Sequence, residues 1–404
     1  MTRIVFVNRF YWPQTPATGQ LLTDLAEGLA QSGWTVTVIT GGGPDTAAQE
    51  TRHGVEIVRV PGFEHGTSAA SKLAAFVRFG SGALVAALRR VRRNDIVVCL
   101  TDPPLLGVGI ALTAGWRGAR LIHWAHDIYP EVAVAVSGHR GFNLLRPLRN
   151  LAWRSAERVV TLGPRMAALV EAGGVAPARV RTVPNWAPAG LAPRPLHDGA
   201  VADLRRQWGL EGRRVVAYSG NLGRVHDLDS ILRVADALRA ERDIAFVFIG
   251  AGAQGAKLQQ RVAAAGLPNV SFQPAQPRAQ LAVSLSVADV HLVTLKPGCE
   301  AVVYPSKLYG IAAVGRPVVF LGPVDSDIAA TVRDRGLGLT LDGRDAGSAA
   351  SALSAFLRDE AARAAAGRSA LAFAAATSFD HSRSTWNRLL AEIANPLPAP
   401  ASRA

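Results

Sequence analysis

Cysteine is nearly missing from this chain. Its 404 residues include only Cys99 and Cys299, far apart, which excludes a disulfide scaffold and suits a reducing cytoplasm. Charge is also scarce, at 19% against 49% hydrophobic residues. That balance excludes intrinsic disorder, which needs an apolar-poor, charge-rich chain. The 39 glycines follow no strict period, so a collagen-like chain is excluded too. Uninterrupted hydrophobic runs long enough to span a membrane are absent. The most apolar stretch, Val97 to Gly115, contains Asp102, Pro103 and Pro104, poorly suited to a spanning helix of about 20 residues. The start, Met1 to Arg9, has a short apolar run broken by Asn8 and Arg9 without a small-residue cleavage site. It reads as a strand rather than an export signal, and the expected location is the cytoplasm.

Lysine is rarest among the basic residues. Of 44, only Lys72, Lys257, Lys296 and Lys307 are lysines, leaving 40 arginines and a net charge of +13. Residues 1 to 190 carry +8 of that excess and the remainder +5. The excess reflects either an arginine-rich background or an anionic partner: substrate, membrane surface or nucleic acid. A recognisable nucleic-acid reader motif or an interleaved basic-aromatic stripe is missing, so nucleic acid is not an expected partner.

Length predicts two or three domains. Short β-rich runs alternate with Ala/Leu-rich helical patterns, as in stacked β-α units on a parallel sheet. Strands are expected at Arg3–Val7, Thr35–Thr40, Glu56–Arg59, Ile96–Leu100, Arg120–His123, Arg158–Thr161 and Val180–Val183. A helix over Gly19–Ser32 follows the first strand, with Gly33 as its stop. Asn185–Gly199, rich in Pro, Ala and Gly, reads as a linker. A second series follows: Arg214–Ser219, Ile244–Ile249, Val270–Phe272, Val290–Val293, Pro317–Phe320 and Leu337–Leu341. The expected fold is α/β, with two doubly wound domains, 1–190 and 200–378, facing a cleft. A helix at about His381–Ile393 precedes a frayed tail, Asn395–Ala404.

Doubly wound sheets bind ligands at the carboxyl ends of strands. After the first strand comes a long aromatic loop, Asn8 to Gln20, that delivers Ala17-Thr18-Gly19 to a helix start. Small residues there let a sugar or phosphate approach, although no GxGxxG is present. The alternative is a plain surface loop. Beyond Arg120–His123 lies Trp124-Ala-His-Asp-Ile-Tyr-Pro-Glu131, where His126 and Asp127 can bind sugar hydroxyls or handle a proton. His123, inside the strand, reads as core. In the second half, Ser219-Gly-Asn-Leu-Gly223 is placed to hold phosphate oxygens, with Arg224 supplying charge-assisted bonds. Ile249-Gly-Ala-Gly-Ala253 reads as a tight turn.

The stretch from Lys296 to Phe320 reads as a polar loop, a short helix capped by Ser306, and a Gly315 stop before another buried strand. Ser306 and Lys307 open that helix and suit an anion. Glu300 lies upstream, able to accept hydrogen bonds from sugar hydroxyls. The acidic triplets Asp227-Leu-Asp229 and Asp325-Ser-Asp327 invite a metal, but such triplets are common and cationic groups can neutralise a diphosphate without one. No metal or cofactor is expected.

Together PSKLYGIAAVGRPVVF, YSGNLGRVHDL, WAHDIYPE, VPNW and the opening YWPQTPATGQLLTDLAEGLAQSGWTVTVIT resemble family 4 glycosyltransferases of the GT-B fold, over almost the whole chain. The nearest likeness is to the bacterial branch that builds surface polysaccharides, such as colanic-acid and O-antigen fucosyl or N-acetyl-fucosaminyl transferases. The resemblance implies two Rossmann-like domains, a UDP- or GDP-linked sugar donor on the C-terminal one, an acceptor on the N-terminal one, and retention of anomeric configuration. It implies that Gly220, Arg224, Ser306 and Lys307 hold the diphosphate. Gly19, Glu300, Tyr304 and Leu308 would face the donor sugar and nucleotide, His126 and Asp127 the reacting centre, and Tyr11, Trp12 and Thr18 the acceptor. The final helix, about 381–394, would cross back to the N-terminal domain.

Two positions depart from the family pattern. Gly310 stands where many members carry a second glutamate, eight residues after Val302. Asn221 occupies the expected arginine position, so Arg224 or His226 must substitute. The acceptor is expected to be lipid-linked or an oligosaccharide. Ser71–Arg93 and Arg140–Arg158 mix apolar residues with arginines, either as interfacial helices on the inner face of the cytoplasmic membrane or as ordinary helices with solvated basic faces. A competing function is a non-transferring GT-B enzyme such as a UDP-sugar 2-epimerase.

Overall fold

A computed structural model describes residues 2–14, 16–43, 46–62 and 69–395. Thr15 of the first loop and the tail beyond Asn395 lie outside the described residues. The chain forms two compact units. One comprises Met1–Val134, His139–Pro184 and Phe379–Ala404, the other Ala135–Gly138 and Asn185–Ser378.

The first unit is built on β1 (Arg3–Val7), β2 (Thr35–Gly41), β3 (Gln49–Arg52), β4 (Val55–Val60), β5 (Ile96–Leu100), β6 (Arg120–Trp124), β7 (Arg158–Thr161) and β8 (Val180–Thr182). Its helices are α1 (Ala17–Gln31), α2 (Ala69–Arg90), α3 (Leu106–Arg117), α4 (Glu131–Ser137), α5 (Arg146–Ser155) and α6 (Pro164–Ala172). The sheet order is β3-β4-β2-β1-β5-β6-β7-β8. Continuous apolar strands such as Ile96-Val-Val-Cys-Leu100, buried throughout, are what a parallel sheet covered on both faces requires. Each fully buried aliphatic side chain contributes about 1.5–3 kcal/mol. Within β5, burial pushes the Cys99 thiol up to about 12, so it packs as a neutral, inert side chain.

One strand departs from the reading of the sequence. β3 pairs antiparallel with β4 at the sheet edge. His53 (φ 47°) and Gly54 (φ 81°) make the two positive-φ positions of a tight hairpin. Its Gln-Glu-Thr-Arg sequence is polar because an edge strand faces water.

The second unit contains α7 (Gly199–Gln207), β9 (Arg214–Ser219), α8 (Leu228–Ala237), β10 (Ile244–Ile249), α9 (Gly255–Ala265), β11 (Val270–Gln273), α10 (Leu281–Ser286) and β12 (Val290–Thr294). It continues through α11 (Lys307–Ala313), β13 (Val318–Leu321), α12 (Asp327–Asp334), β14 (Gly338–Leu341), α13 (Ala346–Arg358) and α14 (Glu360–Ala376). Its six strands run in the order β11-β10-β9-β12-β13-β14, all parallel. The stretch read as a linker has no helix or strand before α7, yet Asn185 and Trp186 are only 1% and 2% exposed. They are anchored rather than free-running.

The last helix, α15 (Phe379–Ala394), belongs to the first unit. It lies against α1, where Gly28 leaves room for Phe379. Trp34 Nε1 donates to Asn387 Oδ1 at 2.8 Å, and the Trp386 ring meets Trp124 edge-on at 5.0 Å. In each sheet the strand order reverses at one place, between β1 and β5 and between β9 and β12. Such reversals open a crevice at the strands' carboxyl ends. The predicted site residues fall on the loops and helix starts that follow strands at or near those two points.

Candidate functional site

In the first unit, the ends of β1, β5 and β6 gather one set of polar groups. The Arg9 guanidinium donates to Asp102 Oδ2 at 3.0 Å and lies 4.3 Å from the Phe10 ring centre and 4.8 Å from that of Phe76. The Asp127 amide donates to Thr101 Oγ1 at 3.1 Å. Burial and the neighbouring Asp102 push the Asp127 carboxyl up to about 6. Asp102 is itself raised by burial, against the pull of Arg9. His126 is 4% exposed and its ring lies 4.6 Å from Trp124. Burial pushes it down to about 3, so the imidazole is neutral at physiological pH. Its Nε2 is buried without a hydrogen-bond partner. A neutral ring nitrogen so placed can bond a sugar hydroxyl, whereas an imidazolium there would pay the cost of desolvation.

His123 lies in the core as expected, pushed down to about 4 by burial. Glu131 of the same motif serves the scaffold: Arg149 grips it through two bonds, at 3.0 and 2.7 Å. Arg9 and Asp102 were missed by the sequence reading. Their signal was Thr101-Asp-Pro-Pro104 directly after β5, a polar strand end of the kind that flags the neighbouring loops.

The aromatic loop after β1 is less open than its sequence suggests. Tyr11 is fully buried, with its hydroxyl unpartnered. Trp12 is exposed, with the Arg52 guanidinium 4.5 Å from its ring centre and its carbonyl accepting from Arg59 at 3.1 Å. Thr18 is half-buried on α1. A Cβ at Gly19 would stand 2.9 Å from Phe10 Cβ, so the room this glycine creates is filled by Phe10. The α1 N-cap is Pro16, without a side-chain cap bond.

In the second unit, Lys307 and Gly220 come together across the β9–β12 reversal. The Lys307 Nζ stands 3.5 Å from the Tyr218 ring centre and 3.7 Å from where a Cβ on Gly220 would lie. Burial drives its pKa far below the usual lysine range, and Nζ is enclosed without a hydrogen-bond partner. The Tyr218 hydroxyl donates to the Asn221 carbonyl at 3.0 Å and so fixes the loop after β9. His226 bonds the Thr294 carbonyl through Nδ1 at 2.7 Å. Burial, with Lys307 nearby, pushes it down to about 3. It is neutral in the unliganded protein. Arg224 stands exposed on the same loop.

Other predicted contacts are placed differently. Ser306 holds the N-cap position of α11 but has helical dihedrals and makes no side-chain cap bond, correcting the capped helix read from sequence. The Tyr304 hydroxyl pairs with Thr331 Oγ1 at 3.3 Å, and the Leu308 side chain is wholly in the core. Glu300 Oε1 accepts from the Gly298 amide at 3.0 Å. Asp227 caps α8 by accepting from the Ser230 amide at 3.2 Å, and Asp229 pairs with Arg261. Among the described residues, no group of three or more His, Cys, Asp or Glu is gathered as a metal site would need.

The Gly-Ala-Gly turn after β10 does more than reverse the chain. A Cβ on Gly250 would meet the Gly220 carbonyl oxygen at 2.2 Å, and one on Gly252 would meet Asn221 Oδ1 at 2.5 Å. Gln254 Nε2 donates to the Gly223 and His226 carbonyls at 2.6 and 3.1 Å. This second loop therefore moulds the backbone of the first.

Residues 18–186 match the family described as "Glycosyl transferase 4-like domain", and residues 201–372 match "Glycosyl transferases group 1". Among curated relatives, the chain is 28% identical over 254 residues to glycosyltransferase WbjE of Pseudomonas aeruginosa, a match covering 62% of each chain. It is also 28% identical, over 230 residues, to a protein of Escherichia coli K12 named as the colanic acid biosynthesis glycosyl transferase WcaI, covering 55% of this chain and 56% of that one. Both matches span less than two thirds of the relative's length. The fold is shared with sucrose-phosphate synthase from Thermosynechococcus elongatus (TM-score 0.78, 17% identity, 97% of this chain and 99% of that one). It is shared too with Anabaena HepE crystallised with UDP and glucose (TM-score 0.75, 16% identity, 97% and 100%). With one family matched on each unit and the GT-B fold throughout, the chain belongs to the glycosyltransferases that join a 4-like domain to a group 1 domain.

Proposed function

We propose that this protein transfers a hexosyl or N-acetylhexosaminyl group from a UDP- or GDP-linked sugar to a lipid-linked or saccharide acceptor in surface-polysaccharide biosynthesis. In this reading the second unit holds the donor, the first holds the acceptor, and transfer retains the anomeric configuration without a metal. The protein works in the cytoplasm, peripherally on the inner face of the membrane. The names of its relatives support the biological setting.

The observation that carries this reading is the Lys307 amino group, buried beside Gly220 with no hydrogen-bond partner. A lone buried cation is costly until an anion joins it, and a diphosphate at the end of β9 would do so. Lys307, Ser306 and the exposed Arg224 would then stabilise charge developing on the departing nucleoside diphosphate. Glu300, on the loop before α11, would accept from a donor hydroxyl. The anomeric C–O bond to phosphate breaks, the acceptor oxygen bonds to that carbon from the same face, and its proton passes to the leaving phosphate. The neutral His126 would hold a sugar hydroxyl, and Asp127, ionised above about pH 6, would accept from another.

Thermal shift with UDP, GDP and TDP tests the donor assignment, because a ligand raises stability only where it binds the folded state. We expect UDP or GDP to stabilise the protein and Lys307→Met to remove that effect together with at least a thousandfold of turnover. Unchanged stabilisation in the variant would overturn the assignment. Release of nucleoside diphosphate only when acceptor is present identifies a transferase; conversion of the nucleotide sugar without acceptor identifies an epimerase.

A further inference from the structure

Large hydrophobic side chains left in solvent are not scattered over this protein. Eleven of the fourteen exposed ones among the described residues lie on α2, α3, α5 and the 3₁₀ turn Arg140–Leu145 that leads into α5. The sheet order explains why these elements share a side. The chain moves from β4 to β5, then to β6 and β7, always in one direction across the sheet. Right-handed crossovers put α2, α3 and α5 on the same face, and α3 touches both its neighbours.

Each element offers an apolar stripe at helical spacing. On α2, Leu73 and Val77 are 63% and 62% exposed, followed by Val85 and Leu88. On α3, Leu112 and Trp116 stand one turn apart, 73% and 74% exposed. Leu144 is 84% exposed on the 3₁₀ turn, and Leu148 and Leu151 continue its line along α5. Residues three or four apart share a helix face, so these are coherent stripes. A surface of this extent is unusual for a monomer without an interaction partner.

Charge decides what that partner is. The three helices and the 3₁₀ turn contain not one Asp or Glu. Lys72, Arg78 and Arg89 are exposed on α2, and Arg140 and Arg154 on the other flank, with no carboxylate among the described residues paired to any of them. A second copy of this face would set arginine against arginine, and nucleic acid would leave the leucines in water. We infer that the outer face of α2, α3 and α5 docks on an anionic lipid bilayer, its leucines and Trp116 entering the interface while the arginines and Lys72 meet headgroups. Tryptophan is favoured at that depth. Leu112 and Trp116, on a helix with a single charged residue, Arg117, join the two basic helices into one surface.

This deepens the peripheral-membrane part of the proposed function and rests on it. Its test does not depend on transfer. The full chain is floated with vesicles of phosphatidylcholine alone or with phosphatidylglycerol, at low and high salt. We expect binding to phosphatidylglycerol vesicles that weakens with salt and falls at least tenfold in L112S/W116S and in R89E/R140E. Thermal shift with UDP and GDP should be unchanged in both variants. Failure of the parent protein to float, or undiminished flotation of both variants, overturns the inference. So does a concentration-dependent dimer, seen by ultracentrifugation, that the same substitutions abolish. Flotation without any nucleoside diphosphate binding would refute the donor reading and leave this surface standing.

Discussion

The two strand-order reversals handle buried charge in opposite ways. At β1–β5, every buried acid has company: Asp102 is bonded to Arg9, and Asp127 sits beside Asp102 and moves toward its neutral form. At β9–β12 a single amino group is enclosed with an aromatic face and a glycine, and burial without a bonding partner drives its pKa far down. The first arrangement offers neutral or tunable hydrogen-bonding groups, His126 Nε2 among them. The second is completed only by an anion. A cluster that leaves a neutral ring nitrogen open suits an uncharged sugar hydroxyl, and a buried amine that needs a negative charge to keep its proton suits a phosphate.

The largest expected effect tests that asymmetry at Lys307. Beyond the loss of turnover, Lys307→Met should leave the unliganded protein as stable as the parent or more so, measured by urea unfolding, because a methionine needs no counter-charge. A marked loss of stability would mean that the amine already has a partner and would dissolve the contrast. Next comes the moulding of the β9 loop. Gly250→Ala must push the Gly220 carbonyl aside and should cost about 3 kcal/mol in urea unfolding, as strained backbone sites do, while weakening nucleoside diphosphate binding.

At the other reversal, His126→Ala should lower turnover about a hundredfold and leave diphosphate affinity unchanged in a titration. A matching loss of donor affinity would show that the two sets of groups are not separable in this way.

Acid separates the units more gently. His123 and His126 in the first unit and His226 and His291 in the second all have lowered pKa values in the folded protein. The unfolded chain therefore binds more protons below its own histidine pKa of about 6.5, and folding stability falls as pH drops from there. Each such histidine costs about 2 kcal/mol by pH 5. Asp127 works in reverse: its raised carboxyl pKa burdens the fold above about pH 6 and relieves it as the pH falls toward 4. Hydrogen exchange at pH 7 and pH 5 should show the second unit losing more protection than the first, and Asp127→Asn should narrow that gap. Equal losses with Asp127 intact would remove it as a compensating group.

Much of this could be read from the chain. Strands such as Arg3–Val7, Ile96–Leu100 and Arg214–Ser219 were legible to the residue because burial on both faces demands unbroken apolar runs. β3 was not, since a polar edge strand carries no such pattern and only the His53-Gly54 turn betrays it. Gly220 and Lys307 were legible as a glycine after a strand and a lysine opening a helix. Arg9 and Asp102, far apart in sequence, meet only when β1 and β5 pair. The neutral state of His226 was not legible, because it is set by burial and by Lys307 nearby, which a sequence does not display. Ser306 was misread as a cap because its residue type suits that position, while its dihedrals do not.

The return of α15 to the first unit imposes an order of assembly. The chain reaches Phe379 only after every strand of the second unit has been made. Domains tend to fold as units as they emerge during synthesis. Here the first must wait with the Gly28 side of α1 and the indole of Trp124 uncovered, because the side chains that close them, Phe379 and Trp386, come after the second unit. During that interval it offers an apolar surface that the finished protein does not, and a chaperone that shields α1 would be serving a vacancy with a fixed lifetime.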